Sequence, residues 1–305
     1  MKHVSSRRNA CKLLLGGAAA AVLRREAFGQ VATSKLADNF TLIQGAGSAV
    51  LLFTSPEGNL LVDGGSMEQS PAVLKLVAEQ TGNEPVRVLF NTHWHLESTG
   101  SNEALGKSAA KIIAHENTRL WMTTEFEQQW ANKEYTPRPK TAWPTETFYT
   151  TGKLTFGGQP VEYGYMLQAH TDGDIYVHFP QAKILMVGDA VQPGRFPLLD
   201  WSTGGWISGM VDAHKTLLTV AQDDTKIVPA TGPVMTKAEL QKLAEKTVAL
   251  RDVYLKNFRM GKSPQDMLAE GMVKEFEPEW GDPKLFLQTC YRGMWGHVRE
   301  IGGIV

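Results

Sequence analysis

Two histidines separated by one residue, His93 and His95, carry the clearest chemical signal in the sequence. They follow the apolar run 86–90, which has the length and composition of a buried strand. Two imidazoles on a tight loop at a strand end can turn toward the same cation, and imidazole nitrogen is a common zinc ligand. The stretch 91–100 therefore predicts part of a metal site.

Two later motifs supply further candidate ligands. His170 lies in the loop 168–174, and Asp189 ends the apolar run 183–188. A buried carboxylate is costly unless it is paired or binds a metal, so an acid at the end of such a strand favours a role as a ligand or as the partner of one. His170 and Asp189 thus join the first two histidines as candidate metal-binding residues.

In order and rough spacing these motifs resemble the metallo-β-lactamase superfamily, whose first motif is His-x-His-x-Asp-His. The chain keeps the two leading histidines and has Glu97 and Ser98 at the next two signature positions. At 229–233, where the superfamily has Pro-Gly-His-Gly, Thr231 stands in place of the histidine. The resemblance extends over nearly the whole chain after residue 29.

The resemblance implies a first metal ion bound by three histidines, here His93, His95 and His170, and all three are present. Asp189 matches the bridging aspartate of a second metal, whose other three ligands are all replaced. Because every departure falls on the second set, we expect one functional divalent ion and no second. Three neutral imidazoles with an open fourth position suit zinc best, although iron and copper accept the same ligands.

A metal ion with an open position lowers the pKa of bound water to about 7. The leading prediction is therefore a hydrolase of an ester, lactone, amide or sulfate-type substrate. Glu97 is one methylene longer than aspartate, and it either acts as the general base or orients a ligand histidine from behind. Asp189 would orient the water or shift its pKa. A further alternative has Glu97 and Asp189 binding a harder cation.

Two other functions are compatible with the same residues. Three histidines around iron also serve dioxygen chemistry, and some members of the superfamily are sulfur dioxygenases, so a mononuclear iron oxygenase acting on thiols or persulfides is one alternative. The other is a non-catalytic metal-binding or partner-binding protein that has lost its chemistry. Metal identity and turnover separate the three hypotheses.

One acid is a candidate for supporting the metal loop. Asp63 ends the apolar run 59–62 and precedes Gly64 and Gly65, which allow a sharp turn. The resemblance implies that this acidic turn lies beneath the metal loop and supports its ligands. A plain turn aspartate is the alternative.

Four tryptophans are candidates for the walls of a substrate cleft. Trp94 lies inside the first motif, Trp143 lies in the proline-rich stretch 131–153, and Trp201 and Trp206 follow Asp189 in a glycine-containing loop. Aromatic side chains on irregular loops often line clefts for apolar or planar substrates. Ordinary packing is the alternative for each of them.

The elements that must position these residues follow from apolar periodicity. Two strand meanders are predicted, and each is followed by helices, an order that indicates an α/β fold and, with the resemblance, a four-layer αβ/βα sandwich of the metallo-β-lactamase type. The predicted meanders cover 40–62 and 159–187, with a strand at 86–90, and the predicted helices cover 70–81, 117 to about 130, 207–221, 237–259, 263–269 and 283–298.

The first 29 residues predict an export signal. Arg7 and Arg8 precede the apolar run 13–23, which is shorter than the roughly 20 residues of a membrane-spanning helix. Ala27 and Gly29 are small residues that suit cleavage near Gln30. We expect the twin-arginine export machinery to deliver a periplasmic or secreted protein without a stable membrane anchor. An ordinary secretory signal or an uncleaved anchor is the alternative.

Charge and cysteine content limit the remaining classes. The chain has a formal net charge of −1, and residues 1–29 hold six basic residues and one acidic residue, so the remainder carries −6. The sequence contains no basic patch that would predict nucleic-acid binding. Cys11 lies in the signal, which leaves Cys290 without an internal disulfide partner. We expect residues 30–305 to form one metallo-β-lactamase-like domain, with C-terminal helices from about 236, that acts on a small molecule.

Overall fold

A computed structural model describes residues 31–297 of the protein. The predicted export signal and its cleavage site before Gln30 lie outside the described residues. Within residues 31–297, no helix combines the length and the apolar character needed to cross a membrane.

The strands of the described residues form two large sheets and one small hairpin. In chain order they are β1 (Ala32–Ala37), β2 (Phe40–Gln44), β3 (Val50–Ser55), β4 (Gly58–Val62), β5 (Val86–Phe90), β6 (Lys111–His115), β7 (Phe126–Gln128), β8 (Lys133–Tyr135), β9 (Glu146–Phe148), β10 (Thr151–Phe156), β11 (Gln159–Tyr165), β12 (Ile175–Phe179), β13 (Ile184–Gly188) and β14 (Lys226–Pro229).

The helices alternate with these strands in the first half and dominate the end of the chain. They are α1 (Ser70–Thr81), α2 (Leu96–Thr99), α3 (Asn102–Lys107), α4 (Glu116–Thr123), α5 (Ile207–Val220), α6 (Lys237–Arg259), α7 (Pro264–Ala269), α8 (Glu277–Trp280) and α9 (Lys284–Met294). Short 3-10 turns cover Lys140–Ala142, Trp201–Thr203, Lys274–Phe276 and Trp295–His297.

Two sheets pack face to face at the centre of the molecule. The first has the strand order β1-β2-β3-β4-β5-β6-β9, and the second has the order β10-β11-β12-β13-β14. Each begins as an antiparallel meander and ends in parallel pairs, β4 with β5 and β13 with β14. Apolar side chains from both sheets, including Phe53, Phe90 and Phe179, fill the space between them.

Helices cover the outer faces of both sheets. On the first sheet, Val73 and Val77 of α1 pack with Leu52 and Leu61. On the second sheet, α5, α6 and the C-terminal helices enclose a larger cluster that includes Leu185. The layers are therefore αβ/βα, and the predicted fold class is confirmed.

The predicted helix from Asn117 to about Trp130 is too long. Helix α4 ends at Thr123, and the hydroxyls of Thr123 and Thr124 bond the Leu120 carbonyl that the next helical turn would use. The chain then forms the β7–β8 hairpin, which is tied to the second half of the molecule by long-range hydrogen bonds. The sequence pattern alone could not reveal those bonds.

The parallel strands bring the predicted site residues to one edge of the sandwich. Asp63 follows β4, and the histidine loop follows β5, its parallel neighbour. In the second sheet, Asp189 follows β13, and Thr231 lies just beyond β14, the parallel neighbour of β13. The amide of Ile175 bonds the carbonyl of Thr92, which joins the two sheets beside the histidine loop.

Candidate metal centre

The acidic turn after β4 holds the histidine loop. Asp63 has a φ of 61°, a left-handed conformation that Asp tolerates better than most residues. Its carboxylate accepts hydrogen bonds from the Thr92 amide and the Thr92 hydroxyl, both at 2.8 Å. The same hydroxyl lies 3.1 Å from Nδ1 of His93. Asp63 thus lies beneath the loop and contacts the His93 ring through Thr92.

Three imidazoles converge at this edge. The ligand nitrogens of His93, His95 and His170 lie within 4.8 Å of one another, and all three residues are buried. Nε2 of His170 is 3.2 Å from Nδ1 of His95. Two nitrogens bound at roughly 2.0–2.1 Å to a tetrahedral zinc ion lie about 3.3 Å apart. The spacing of the imidazoles therefore fits a metal ion.

The opposite nitrogen of each ring has its own partner, which orients the ring. His95 Nε2 lies 2.9 Å from Asp200 Oδ2, and His170 Nδ1 lies 2.8 Å from the Leu198 carbonyl. Nε2 of His93 has no hydrogen-bond partner among residues 31–297, although it is buried. An orphaned buried nitrogen is costly, and a metal ion would satisfy it. The donor set therefore fits a metal ion chemically as well as geometrically.

Asp200 is the site residue that sequence reasoning missed. Its carboxylate is fully buried and accepts hydrogen bonds from Gln128 Nε2 and Trp130 Nε1, both at 2.8 Å, in addition to its contact with His95. Both donors belong to the β7–β8 hairpin or its turn. The only sequence signal was an acid flanked by Leu199 and a tryptophan in an aromatic loop, a pattern too common to identify a supporting residue.

Charge is distributed unevenly over the three rings. Burial and the neighbouring His95 lower the pKa of His93 to about 3 and also lower that of His170, so both rings stay neutral. Burial opposes protonation of His95 as well, but Glu97 and Asp200 raise its pKa to about 10. The two carboxylates therefore favour positive charge beside His95.

Glu97 and Asp189 border the same group of imidazoles. Glu97 Oε1 lies 3.2 Å from Nδ1 of His95, and its side chain is 45% exposed, so this side of the centre is open. Asp189 Oδ2 lies 3.6 Å from Nε2 of His93, and Arg195 donates a 3.0 Å hydrogen bond to the other oxygen. Burial works against both carboxylate charges, but the neighbouring histidines hold the pKa of each below its usual range.

A second possible ligand group consists of His93, Glu97 and Asp189, whose atoms also lie within 4.8 Å of one another. It shares His93 with the three-histidine group, so the two groups overlap, and the same nitrogen lone pair cannot bind two ions. Ser98 is fully buried, and its hydroxyl has no partner among the described residues. Thr231 is half-buried just beyond β14.

The four tryptophans have different surroundings. Trp94 is only 2% exposed, its ring packs edge-on against His95 at 4.4 Å, and its Nε1 bonds the Thr203 hydroxyl. Its predicted place on a cleft wall is wrong, because the Trp94 ring is also enclosed by the rings of Phe126 and Tyr135. Trp143 donates a hydrogen bond to the Arg138 carbonyl. The ring of Trp206 stacks on that of His297 at 3.8 Å. Trp201 is half-buried and precedes no site histidine, but it follows Asp200 directly in the chain.

Comparison with known families agrees with this geometry. The model of the metallo-beta-lactamase superfamily matches residues 42–232. The chain belongs to the metallo-beta-lactamase superfamily. No curated protein matches the sequence.

Solved structures show the same fold at low sequence identity. A metallo-beta-lactamase from Pontibacter korlensis is 22% identical, with a TM-score of 0.56, 71% of this chain covered and 99% of the other. The stereoselective inverting sec-alkylsulfatase Pisa1 from Pseudomonas sp. is 13% identical, with a TM-score of 0.63 and 88% of this chain covered. This chain spans 50% of the length of that protein. At these identities the likeness concerns the fold alone.

Proposed function

We propose that the protein is a metal-dependent hydrolase acting on a small-molecule ester, lactone, amide or sulfate-type bond. The observation that carries the proposal is the convergence of three buried imidazole nitrogens whose opposite nitrogens are all held by other groups. When bound there, a divalent ion supplies a Lewis acid and brings the pKa of a water molecule to about 7. Membership of a superfamily made up mostly of hydrolases supports this reaction class.

Glu97 is the group that takes the proton from the attacking water. It contacts His95 at Nδ1, the nitrogen that faces the other two imidazoles, whereas Asp200 occupies Nε2. The role of orienting His95 from behind therefore already belongs to Asp200. Glu97 is partly exposed and lies 3.2 Å from the His95 nitrogen that would bind the ion, so its carboxylate could accept a proton from water held there.

Asp189 and Arg195 complete the open side. The hydrogen bond from Arg195 fixes one oxygen of Asp189 and leaves the other directed at His93. In the proposed mechanism, Asp189 accepts a hydrogen bond from the attacking water. This bond orients the water so that a lone pair of its oxygen points at the substrate. The Arg195 side chain is 38% exposed although its Nε is buried, so part of the guanidinium group is open to an oxygen of the substrate.

We propose one zinc ion per chain. Within residues 31–297, the second possible ligand group, His93, Glu97 and Asp189, contains no imidazole other than that of His93, which the three-histidine group also uses. Elemental analysis of the purified protein tests the proposal. One equivalent of zinc is the expected result. Two tightly bound equivalents would contradict the single-ion site, and iron together with oxygen uptake on thiols would favour the oxygenase.

Turnover provides the second test. We expect the zinc-loaded protein to hydrolyse at least one member of a panel of esters, lactones, β-lactams and alkyl sulfates, and His170→Ala to lose both zinc and turnover. His178→Gln is the matched control, because His178 is a buried histidine of β12 that lies 3.5 Å from Glu162 and outside the three-histidine group. Absence of turnover with the whole panel would count against hydrolysis.

Export to the periplasm or medium is part of the proposal and rests on Arg7, Arg8 and the apolar run that follows them. The expected result of changing both arginines to lysine is retention of the protein in the cytoplasm, measured by fractionation. Changing Arg24 and Arg25 to lysine is the control and should leave export intact. Export that persists in cells lacking the twin-arginine machinery would contradict this route.

A further inference from the structure

A cleft outside the metal centre opens between the β7–β8 hairpin and the C-terminal helices. Its volume is about 540 Å³, inside the range of roughly 300–1,000 Å³ that is typical of small-molecule pockets. Trp130 and Trp201 form one wall, and residues of α7 and α9 form the other. Among the described residues that line it there is neither a histidine nor Glu97 nor Asp189, so the cleft is distinct from the reacting face.

The walls of the cleft are suited to a flat apolar group. The indole rings of Trp130 and Trp201 and the phenol ring of Tyr291 are all half-buried, so part of each ring stays accessible. Leu285, which also lines the cleft, is 44% exposed. Aromatic faces combined with an exposed aliphatic side chain bind planar or aliphatic ligand bodies by burying apolar area and by stacking.

One face of α9 adds polar groups to the cleft. Leu285, Gln288 and Arg292 are spaced by three and four residues, so they lie on the same side of the helix. Arg292 is exposed, and it is the one charged residue among the described residues that line the cleft. A guanidinium group without an acidic neighbour in the lining suits a carboxylate, sulfonate or phosphate group, which it can bind through two hydrogen bonds.

The cleft also has a direct connection to the metal centre. Trp130, whose ring forms part of the wall, donates through Nε1 to Asp200, and the other oxygen of Asp200 holds His95. Trp201 is the residue next to Asp200 in the chain. A molecule lying against these two indole rings therefore touches two residues next to the carboxylate that contacts His95.

We propose that this cleft is a second ligand site that binds a small organic anion with a planar apolar body. The body lies against Trp130, Trp201 and Leu285, and the anionic group pairs with Arg292. The site does not depend on the reaction that the metal centre performs.

Titration of the full-length protein with naphthalene-2-sulfonate, followed by tryptophan fluorescence and equilibrium dialysis, tests the proposal. We expect saturable binding of one probe per chain. Arg292→Gln should weaken binding about five- to tenfold through loss of the charged hydrogen bonds, and Trp201→Ala should weaken it about tenfold through loss of stacking and buried area. Arg87→Gln, which removes an exposed arginine from the first sheet, should have no effect.

Two comparisons identify where the probe binds. The uncharged analogue 2-naphthylmethanol should bind more weakly than the sulfonate, and its affinity should not respond to Arg292→Gln. His170→Ala should bind the sulfonate as the unaltered protein does. Binding that is lost in His170→Ala and unchanged in Arg292→Gln would assign the probe to the metal centre and overturn the proposal, as would the absence of saturable binding. Arg292 is exposed, so its replacement tests the site even if Trp201→Ala does not fold.

Discussion

Two carboxylates meet the same imidazole, that of His95, from opposite sides. Glu97 approaches Nδ1 at 3.2 Å, and it is close in sequence and 45% exposed. Asp200 approaches Nε2 at 2.9 Å, comes from 105 residues further along the chain, and is fully buried. The comparison contrasts an exposed carboxylate, to which we assign proton transfer in the proposed function, with a buried carboxylate, to which we assign the orientation of the ring.

The same division applies to the two halves of the molecule. The first half supplies His93, His95 and Glu97 from one continuous loop, which Asp63 supports locally through Thr92. The second half supplies its contributions from separate loops, with His170 after β11 and Asp200 beyond β13. Both halves therefore supply a candidate ligand and an orienting carboxylate, but the first half does so within neighbouring loops and the second half from loops that are distant in sequence.

Among changes to the groups that surround the three histidines, the largest effect is expected for Glu97→Gln. Glutamine has a similar size but cannot accept a proton, so turnover should fall by about 100-fold or more while the zinc content stays at its original level. Steady-state kinetics and elemental analysis measure the two quantities. If zinc is lost in parallel with turnover, Glu97 is a ligand or a structural support, and the contrast with Asp200 disappears.

The opposite pattern is expected for Asp200→Asn. An amide cannot accept hydrogen bonds on both of its terminal atoms, so His95, Gln128 and Trp130 can no longer all be satisfied. Metal affinity should fall about 10- to 100-fold, measured by competition with a chelator, while the rate constant of the zinc-saturated variant changes little. A normal affinity combined with a large loss of rate would contradict a purely orienting role.

Asp63→Asn should have a smaller effect than Asp200→Asn. Asparagine tolerates the positive φ at this position, so the backbone of the turn is retained. One of the two bonds to Thr92 is weakened, and because His93 is held only indirectly through that threonine, metal affinity should fall about three- to tenfold. The same chelator competition measures the effect. A loss larger than that of Asp200→Asn would reverse the proposed order of support.

Trp130→Phe should produce the smallest change. Phenylalanine retains an aromatic ring but lacks the Nε1 donor, so Asp200 keeps its contacts with His95 and Gln128 and loses one hydrogen bond. We expect the free energy of unfolding, measured with urea, to fall by about 1 kcal/mol and metal affinity to fall about two- to threefold. An effect as large as that of Asp200→Asn would mean that the hairpin, rather than the carboxylate, positions His95.

Sequence patterns predicted most of the fold. The alternation of apolar residues located both meanders, and the predicted bounds of the long helix at 237–259 agree with α6, which begins with a Thr236–Glu239 capping box. Prediction failed in the region after Thr123, where local composition favoured continuing a helix. There Gln128 and Trp130 bond a carboxylate about 70 residues away, and such contacts leave no local periodicity.

For the centre itself, residue types and their spacing were enough to predict His93, His95 and His170 as candidate ligands, because spacing on a loop and the order of motifs are properties of the chain. It also showed that Glu97 and Ser98 replace two signature residues. Only the tertiary structure decided that Trp94 points inward and that Asp200 supports His95. The physical reason is that the burial of a side chain and the pairing of a buried charge depend on which distant segments pack together.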